Sequence, residues 1–273
     1  MIIYEKILEL LSGGETFALA QVVTREGSAP RGAGAKMLIK KDGSIFGTVG
    51  GGDLEAMVVN EALDSLDKQE NKFREYNLDQ TASGNLNMQC GGRVGVFIEV
   101  VSPPPHLVIA GAGHVGMALA RMASELQWRI EIADDRAELL EPALLPPGAK
   151  GVWGKTYVEA VRKTAISGSS LVVIVTRNAD AEVLEEVIRR PARYLGMIGS
   201  RRKIGLIRKK LEEKGVSEEL LNRVHAPIGL DIGAETPAEV AVSILAELVA
   251  VVRGGNPEKA GSLSKKDGSP GGD

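Results

Sequence analysis

Gly111, Gly113 and Gly116 stand in the run H-L-V-I-A-G-A-G-H-V-G, and Asp134 and Asp135 follow roughly 20 residues later. Glycines at this G-x-G-x-x-G spacing suit a pyrophosphate. Gly111 permits a tight turn, Gly113 admits backbone close to the phosphates, and Gly116 lets a helix pack on a strand. The N-terminus of that helix offers N–H groups and a positive dipole end to an anion, and His114, inside the motif, faces whatever binds there. An acid closing the next strand can accept from ribose hydroxyls. The plainer reading of the same residues is a nucleotide-type fold whose crevice is empty or altered.

Four further loops carry candidate groups. In T-R-E-G-S-A-P-R-G-A-G, Arg25, Ser28 and Arg31 stand among glycines, which suits an anion cradle or an ordinary hairpin with solvated arginines. In G-T-V-G-G-G-D-L-E, Gly50, Gly51 and Gly52 precede a helix, a second anion site, with Asp53 as its expected N-cap. In M-I-G-S-R-R-K, Gly199, Ser200 and Arg201 fall at the carboxyl end of a strand, where open α/β sheets bind ligands. The basic trio there is equally a solvated helix start. Cys90, the only cysteine, is followed by Gly91 and Gly92, whose N–H groups favour thiolate. It reads either as an exposed loop thiol or as a small buried hydrophobe. No second cysteine or nearby histidine accompanies it, so no metal site is expected. His106, His114 and His225 form no triad with a serine and an acid.

The elements that must position these residues fall on either side of Ser102-Pro103-Pro104-Pro105, because three prolines suit neither a helix nor a central strand. Residues 1–101 read as an α+β domain: helices over 2–11 and 54–66, strands over 17–24, 36–40, 43–49, 73–77 and 93–101. Residues 106–255 alternate strand and helix, which predicts a Rossmann-like, doubly wound parallel sheet. Its strands are expected at 106–110, 129–133, 151–153, 171–176, 194–198 and 224–228. Its helices are expected at 115–126, 157–165, 182–190, 203–214 and 237–252. Thr236, Pro237 and Glu239 make a capping box for the last helix. The tail 256–273, rich in glycine, lysine and serine, is expected to stay mobile.

Composition excludes several classes. A net charge of -3 implies no general affinity for nucleic acid or a membrane surface, and 4% aromatic residues leave few platforms for stacking bases. A single cysteine rules out an internal disulfide and fits a reducing compartment. No membrane span is expected, and Glu5, Lys6 and Glu9 make the N-terminus unlike a signal peptide, so a cytoplasmic location is expected.

E-G-S-A-P-R-G-A-G-A-K-M, G-T-V-G-G-G-D-L-E and M-Q-C-G-G resemble the amino-terminal signatures of the XdhC/CoxI family. V-I-A-G-A-G-H-V-G, Y-L-G-M-I-G-S-R-R-K and H-A-P-I-G-L-D-I-G-A-E-T-P-A-E-V-A-V-S-I-L-A-E resemble its Rossmann half. The resemblance runs from about residue 15 to 253. It implies an accessory factor that binds the molybdenum cofactor (molybdopterin or its dinucleotide form). Such a factor protects the cofactor while a cysteine desulfurase supplies sulfur, then delivers it to a xanthine-dehydrogenase-type apoenzyme, a molybdenum hydroxylase. A homodimer is compatible with it. Asp53 departs from the CoxI-like branch, which often has cysteine there, and Arg177-Asn178-Ala179-Asp180 replaces a glycine–histidine pair of many relatives. Two other readings share the same residues. One is an NAD(P)-dependent oxidoreductase with His114 or His225 as proton donor and Arg136 tolerating a 2′-phosphate. The other is a nucleotide-sensing regulator.

Overall fold

The computed structural model describes residues 2–27, 30–78 and 92–255. Ser28, Cys90, Gly91 and the 256–273 tail lie outside them. Contacts divide the chain into two units between Pro103 and Pro104.

In the first unit, α1 (Ile3–Ser12) is followed by β1 (Phe17–Gly27), β2 (Lys36–Lys40) and β3 (Ile45–Gly47). Then come α2 (Gly52–Lys68), β4 (Lys72–Asn77) and β5 (Gly92–Val101). The sheet is antiparallel in the order β3-β2-β1-β5-β4. Side chains alternate along each strand, so the two faces bury against different helices. Ala18, Ala20 and Val22 pack with Leu54, Val58 and Ala62 of α2, whereas Phe17 and Leu38 pack with Leu10 of α1. β1 is longer than expected. A register shift between Val22 and Thr24 carries it on to Gly27, which pairs with Gly92.

The second unit runs β6 (His106–Ala110), α3 (His114–Glu125), β7 (Arg129–Asp134), β8 (Ala149–Trp153), α4 (Tyr157–Arg162) and β9 (Ser170–Ile174). It continues with α5 (Asp180–Val187), β10 (Tyr194–Met197), α6 (Arg201–Glu213), α7 (Glu218–Asn222), β11 (Val224–His225) and α8 (Pro237–Val252). All six strands are parallel, in the order β11-β10-β9-β6-β7-β8. Counted within the unit this is 3-2-1-4-5-6 read backwards, the order of dinucleotide-binding sheets, with its switch point between β6 and β9. The α/β class read from the sequence therefore holds, an α+β unit followed by a Rossmann-like sheet. Leu107 and Ile109 bury against Leu119 of α3 and Ile244 and Leu248 of α8, while Val108 and Ala110 face Val183 and Leu184 of α5. A strand covered on both faces can be apolar throughout, which is why β6 reads as an unbroken run.

Boundaries differ from expectation where local chemistry decides them. The strand expected over 224–228 stops at His225, two residues before Pro227, which has no N–H for a ladder. α7 has no counterpart in the sequence pattern, since five residues held by a Ser217 cap are too short to show a periodicity. The capping box of α8 is present as expected, with Thr236 accepting from the Glu239 N–H and Glu239 from that of Thr236.

α8 is pinned to the sheet edge by a buried carboxylate. Glu247 Oε1 accepts from the Tyr194 hydroxyl at 2.6 Å, Oε2 accepts from the Gly229 N–H at 2.5 Å, and His225 Nδ1 lies 3.4 Å away. Tyr194 and His225 stack with ring centroids 4.4 Å apart. Burial pushes the Glu247 carboxyl up, but His225, Tyr194 and the Gly229 N–H together hold it below 4.5. A depressed folded value means its stabilisation is complete above 4.5 and is lost as pH falls through the lowered value. Glu247→Gln should thus cost on the order of 2 kcal/mol at neutral pH by loss of charge-assisted bonds. Thermal melting of both proteins against pH should show that gap closing below pH 4.5.

Candidate functional site

The glycine loop sits at the carboxyl end of β6, beside the switch point. Gly111 has φ +122°, and a side chain there would strike the Val175 carbonyl. At Gly116 a Cβ would drive into the Gly111 carbonyl oxygen, so helix and turn meet backbone to backbone. Gly113 differs from both, because a Cβ there would meet nothing within 4 Å. The three glycines thus divide their work as their spacing predicts: turn, open approach and close packing. Gly113 is also the N-cap of α3, which has no side-chain cap and no acidic residue in its first turn. That end of α3 keeps its positive potential for an incoming anion. His114 occupies the first helical position and is exposed.

The two acids take unequal parts. The sequence pattern offers either acid to ribose hydroxyls, and the structure takes Asp134 out of reach. Its side chain is fully buried, with Oδ2 accepting from the Ala112 N–H at 2.6 Å and from Arg136 Nη2 at 2.9 Å. Oδ1 accepts from the Arg136 N–H and from its Nε, both at 2.9 Å. Burial pushes the Asp134 carboxyl up, and the Arg136 guanidinium with the Ala112 N–H brings it below its usual value. Arg136 also donates to the Tyr157 hydroxyl at 3.2 Å, so it is not free to meet a 2′-phosphate. Asp135 remains partly exposed. Burial and the neighbouring Asp134 charge raise its carboxyl above the usual range.

The second glycine loop is corrected more sharply. Gly50, Gly51 and Gly52 all have positive φ, a backbone path only glycine follows without strain. Asp53 is not the N-cap, since that position is Gly51. Glu55, one turn into α2, reaches back instead and accepts from the Val49 N–H at 3.2 Å, the Gly51 N–H at 2.9 Å and the Thr48 hydroxyl. Gly50 donates to the Thr48 hydroxyl oxygen at 3.1 Å. The expected anion donors of Gly50 and Gly51 are therefore already taken by the chain's own side chains. Burial raises the Glu55 carboxyl, and Thr48 with the backbone N–H groups outweighs that effect, so it stays ionised. Glutamate four residues past the cap of a glycine loop is the signal available in the sequence.

The remaining residues scatter. Arg25 lies on β1 rather than in a loop and is exposed, as is Arg31. Pro30 approaches Gly50, where an added Cβ would come within 3.2 Å of its ring, so these two loops do meet. At the carboxyl ends of β9 and β10 a cavity of about 350 Å³ is lined by Asn178, Asp180, Ser200, Arg202 and Lys203 among others. Neither Gly199 nor Arg201 lines it; Arg202 and Lys203 do. Ser200 caps α6 by accepting from the Lys203 N–H at 3.3 Å. Lys203 is ion-paired with buried Asp180, which also accepts from the Thr176 hydroxyl at 2.5 Å. Among the described residues no cluster of three metal-ligating side chains occurs, and no helix is long and apolar enough to cross a membrane.

Residues 107–248 match the XdhC Rossmann domain, and residues 10–77 match the XdhC and CoxI family. The chain belongs to this family. It is 42% identical over 235 residues to the uncharacterized protein YqeB of Escherichia coli (strain K12), covering 86% of this chain and 43% of that protein. The chain thus spans less than half the length of that relative. It is 26% identical to the molybdenum cofactor insertion chaperone PaoD of the same organism, over 89% of this chain and 86% of PaoD. A protein of Bacillus subtilis (strain 168) named as a probable xanthine dehydrogenase component is 21% identical, over 88% and 94%. A solved xanthine dehydrogenase structure from Bacillus halodurans is 22% identical with a TM-score of 0.49, over 93% of this chain and 97% of that one.

Two substitutions separate the roles of the XdhC glycines. Gly113→Val should lower the melting temperature only slightly, valine being a poorer N-cap than glycine, and should block any pyrophosphate binding seen for the wild type in calorimetric titration with ADP. Gly116→Ala should destabilise by about 1–3 kcal/mol, because its methyl group has nowhere to go. A stable Gly116→Ala or a binding-competent Gly113→Val would refute the assignment.

Proposed function

We propose that this protein is a molybdenum-cofactor accessory factor, which carries molybdopterin or its dinucleotide form as cargo and delivers it to a xanthine-dehydrogenase-type apoenzyme. Membership of the XdhC and CoxI family carries this reading, and PaoD, similar along most of both chains, is named as an insertion chaperone. The crevice chemistry supports it. Molybdopterin carries a phosphate and its nucleotide forms a pyrophosphate, which suit the uncapped N-terminus of α3 and the open approach at Gly113. A carrier needs binding groups more than acid–base groups, and the histidines here fit that need. His106 is buried, with Nδ1 2.9 Å from the Ser170 hydroxyl, and burial lowers its affinity for a proton. His225 is engaged by Glu247 and Tyr194, so an NAD(P)-dependent oxidoreductase would depend on the exposed His114 alone for its proton donor.

Protection of the cargo during sulfuration by a cysteine desulfurase is the finer part of the proposal, and Cys90 is its proposed sulfur-handling residue. A thiolate is the soft donor and nucleophile that molybdenum–sulfur chemistry calls for. The test is an anaerobic reconstitution from apoenzyme, cofactor, desulfurase and this chain. The full chain should raise client activity, and Cys90→Ser should bind cargo normally while losing most of that gain. Equal activation with and without the chain would sink the carrier reading. Equal activation by wild type and Cys90→Ser would remove only the cysteine's role.

A further inference from the structure

The last helix carries apolar residues on the side away from the sheet, which neither the glycine crevice nor cargo delivery explains. Ala241, Ile244 and Leu248 of α8 are buried in the core. At 3.6 residues per turn, Ala238, Val242, Ala246 and Val249 fall on the opposite side. Val242 is 46% exposed, Ala238 is exposed, and Ala246 and Val249 are half-buried. The other long helices of this unit show the usual pattern instead. α3 has exposed Arg121 and Glu125, and α6 has exposed Arg202, Lys209 and Glu213. A helix that is apolar all round is normally covered on every side.

The charges on α8 point to what covers it. Between Glu239 and Arg253 the one charged residue is Glu247, and it turns inward to the Tyr194 hydroxyl and the Gly229 N–H. The outer stripe is therefore uncharged along its length, with an exposed acid at its start and an exposed base at its end. The acid is a fixed charge. The Thr236 and Glu235 N–H groups, both bonded to its Oε2, hold the Glu239 carboxyl below the usual range. Ala246 stands midway, seven residues from each end, or about 10 Å along the helix axis. A two-fold axis through Ala246 that sets two copies of α8 antiparallel brings Glu239 of each copy level with Arg253 of the other. Parallel pairing would set acid on acid and base on base. The small side chain at the crossing point lets the two helices approach closely.

We infer that the outer face of α8 is an interface between two copies of this chain, packed antiparallel about Ala246 with Glu239 of each copy facing Arg253 of the other. Such an interface is isologous, one stripe meeting itself, so it closes as a dimer. Removal of Val242 and its apolar neighbours from water drives it, and the end charges set its direction. It uses no residue of the glycine crevice, so it goes beyond the carrier reading and does not depend on it.

The test follows sedimentation of the full chain over a wide range of concentration. The wild type should form a dimer that dissociates on dilution. Ala246→Arg sets two like charges on the axis and should leave only monomer. Arg253→Glu should raise the dissociation constant at least tenfold, and by less at high salt, which screens exposed charges. Melting curves should show both variants folded, since neither position faces the core. The geometry is read from single cysteines placed in a Cys90→Ser chain. Under mild oxidation Ala246→Cys should join two copies, whereas Arg253→Cys, about 21 Å from its counterpart along the paired helices, should not. A wild type that stays monomeric, a dimer that Ala246→Arg leaves intact, or crosslinking of Arg253→Cys in place of Ala246→Cys would overturn the inference. If the chain is monomeric and Ala246→Arg instead abolishes activation of a molybdenum hydroxylase, the face belongs to the client and the second copy is ruled out. A dimer that activates no client removes the carrier reading and leaves this interface standing.

Discussion

The Asp134 carboxylate joins three parts of the second unit that the chain connects only loosely. It caps the Ala112 N–H in the glycine turn, closes β7, and fixes the Arg136 guanidinium over the start of the next loop. Removed from water and without these donors, it would be a severe cost; with them it is a rigid corner. The turn it stiffens presents Gly113, and the loop it anchors presents Asp135. The shape of the crevice therefore depends on an acid whose oxygens are taken by the chain's own donors.

A similar device operates in the first unit. Glu55 fills the glycine loop at Val49–Gly51 much as a bound anion would. One loop of the protein thus has its positive potential answered from within, while the N-terminus of α3 does not. The contrast between two glycine-rich segments that look alike in composition separates a turn closed from within from one left open.

The strands and helices of the second unit are legible in the sequence because their signals are strong and local. β6 is a short apolar run bounded by glycine, and α8 begins with threonine, proline and glutamate at capping positions. The spacing that marks Gly111, Gly113 and Gly116 also carries their separate roles, since each role is a steric property of the residue itself. What stays hidden depends on where side chains turn. Neither the choice between Asp134 and Asp135, nor that between Asp53 and Glu55, follows from residue type. In both pairs one carboxylate folds inward to satisfy backbone donors, and only the packing around it decides which. Trp153 stays hidden for a related reason, since a tryptophan at the end of a short strand reads as core until its exposure is known.

The two sheets also end in ways that govern how a neighbour can approach. Among the described residues, β11 at one edge of the parallel sheet is two residues long and β3 at one edge of the antiparallel sheet is three. β4, at the other edge of the antiparallel sheet, reads K-F-R-E-Y-N and carries charges along its length. Short or charged edges offer little ladder for a foreign strand to extend. At these three edges a neighbour finds little ladder to extend, and it would have to recognise loops or helix faces there, an association that forms and releases without unzipping backbone bonds.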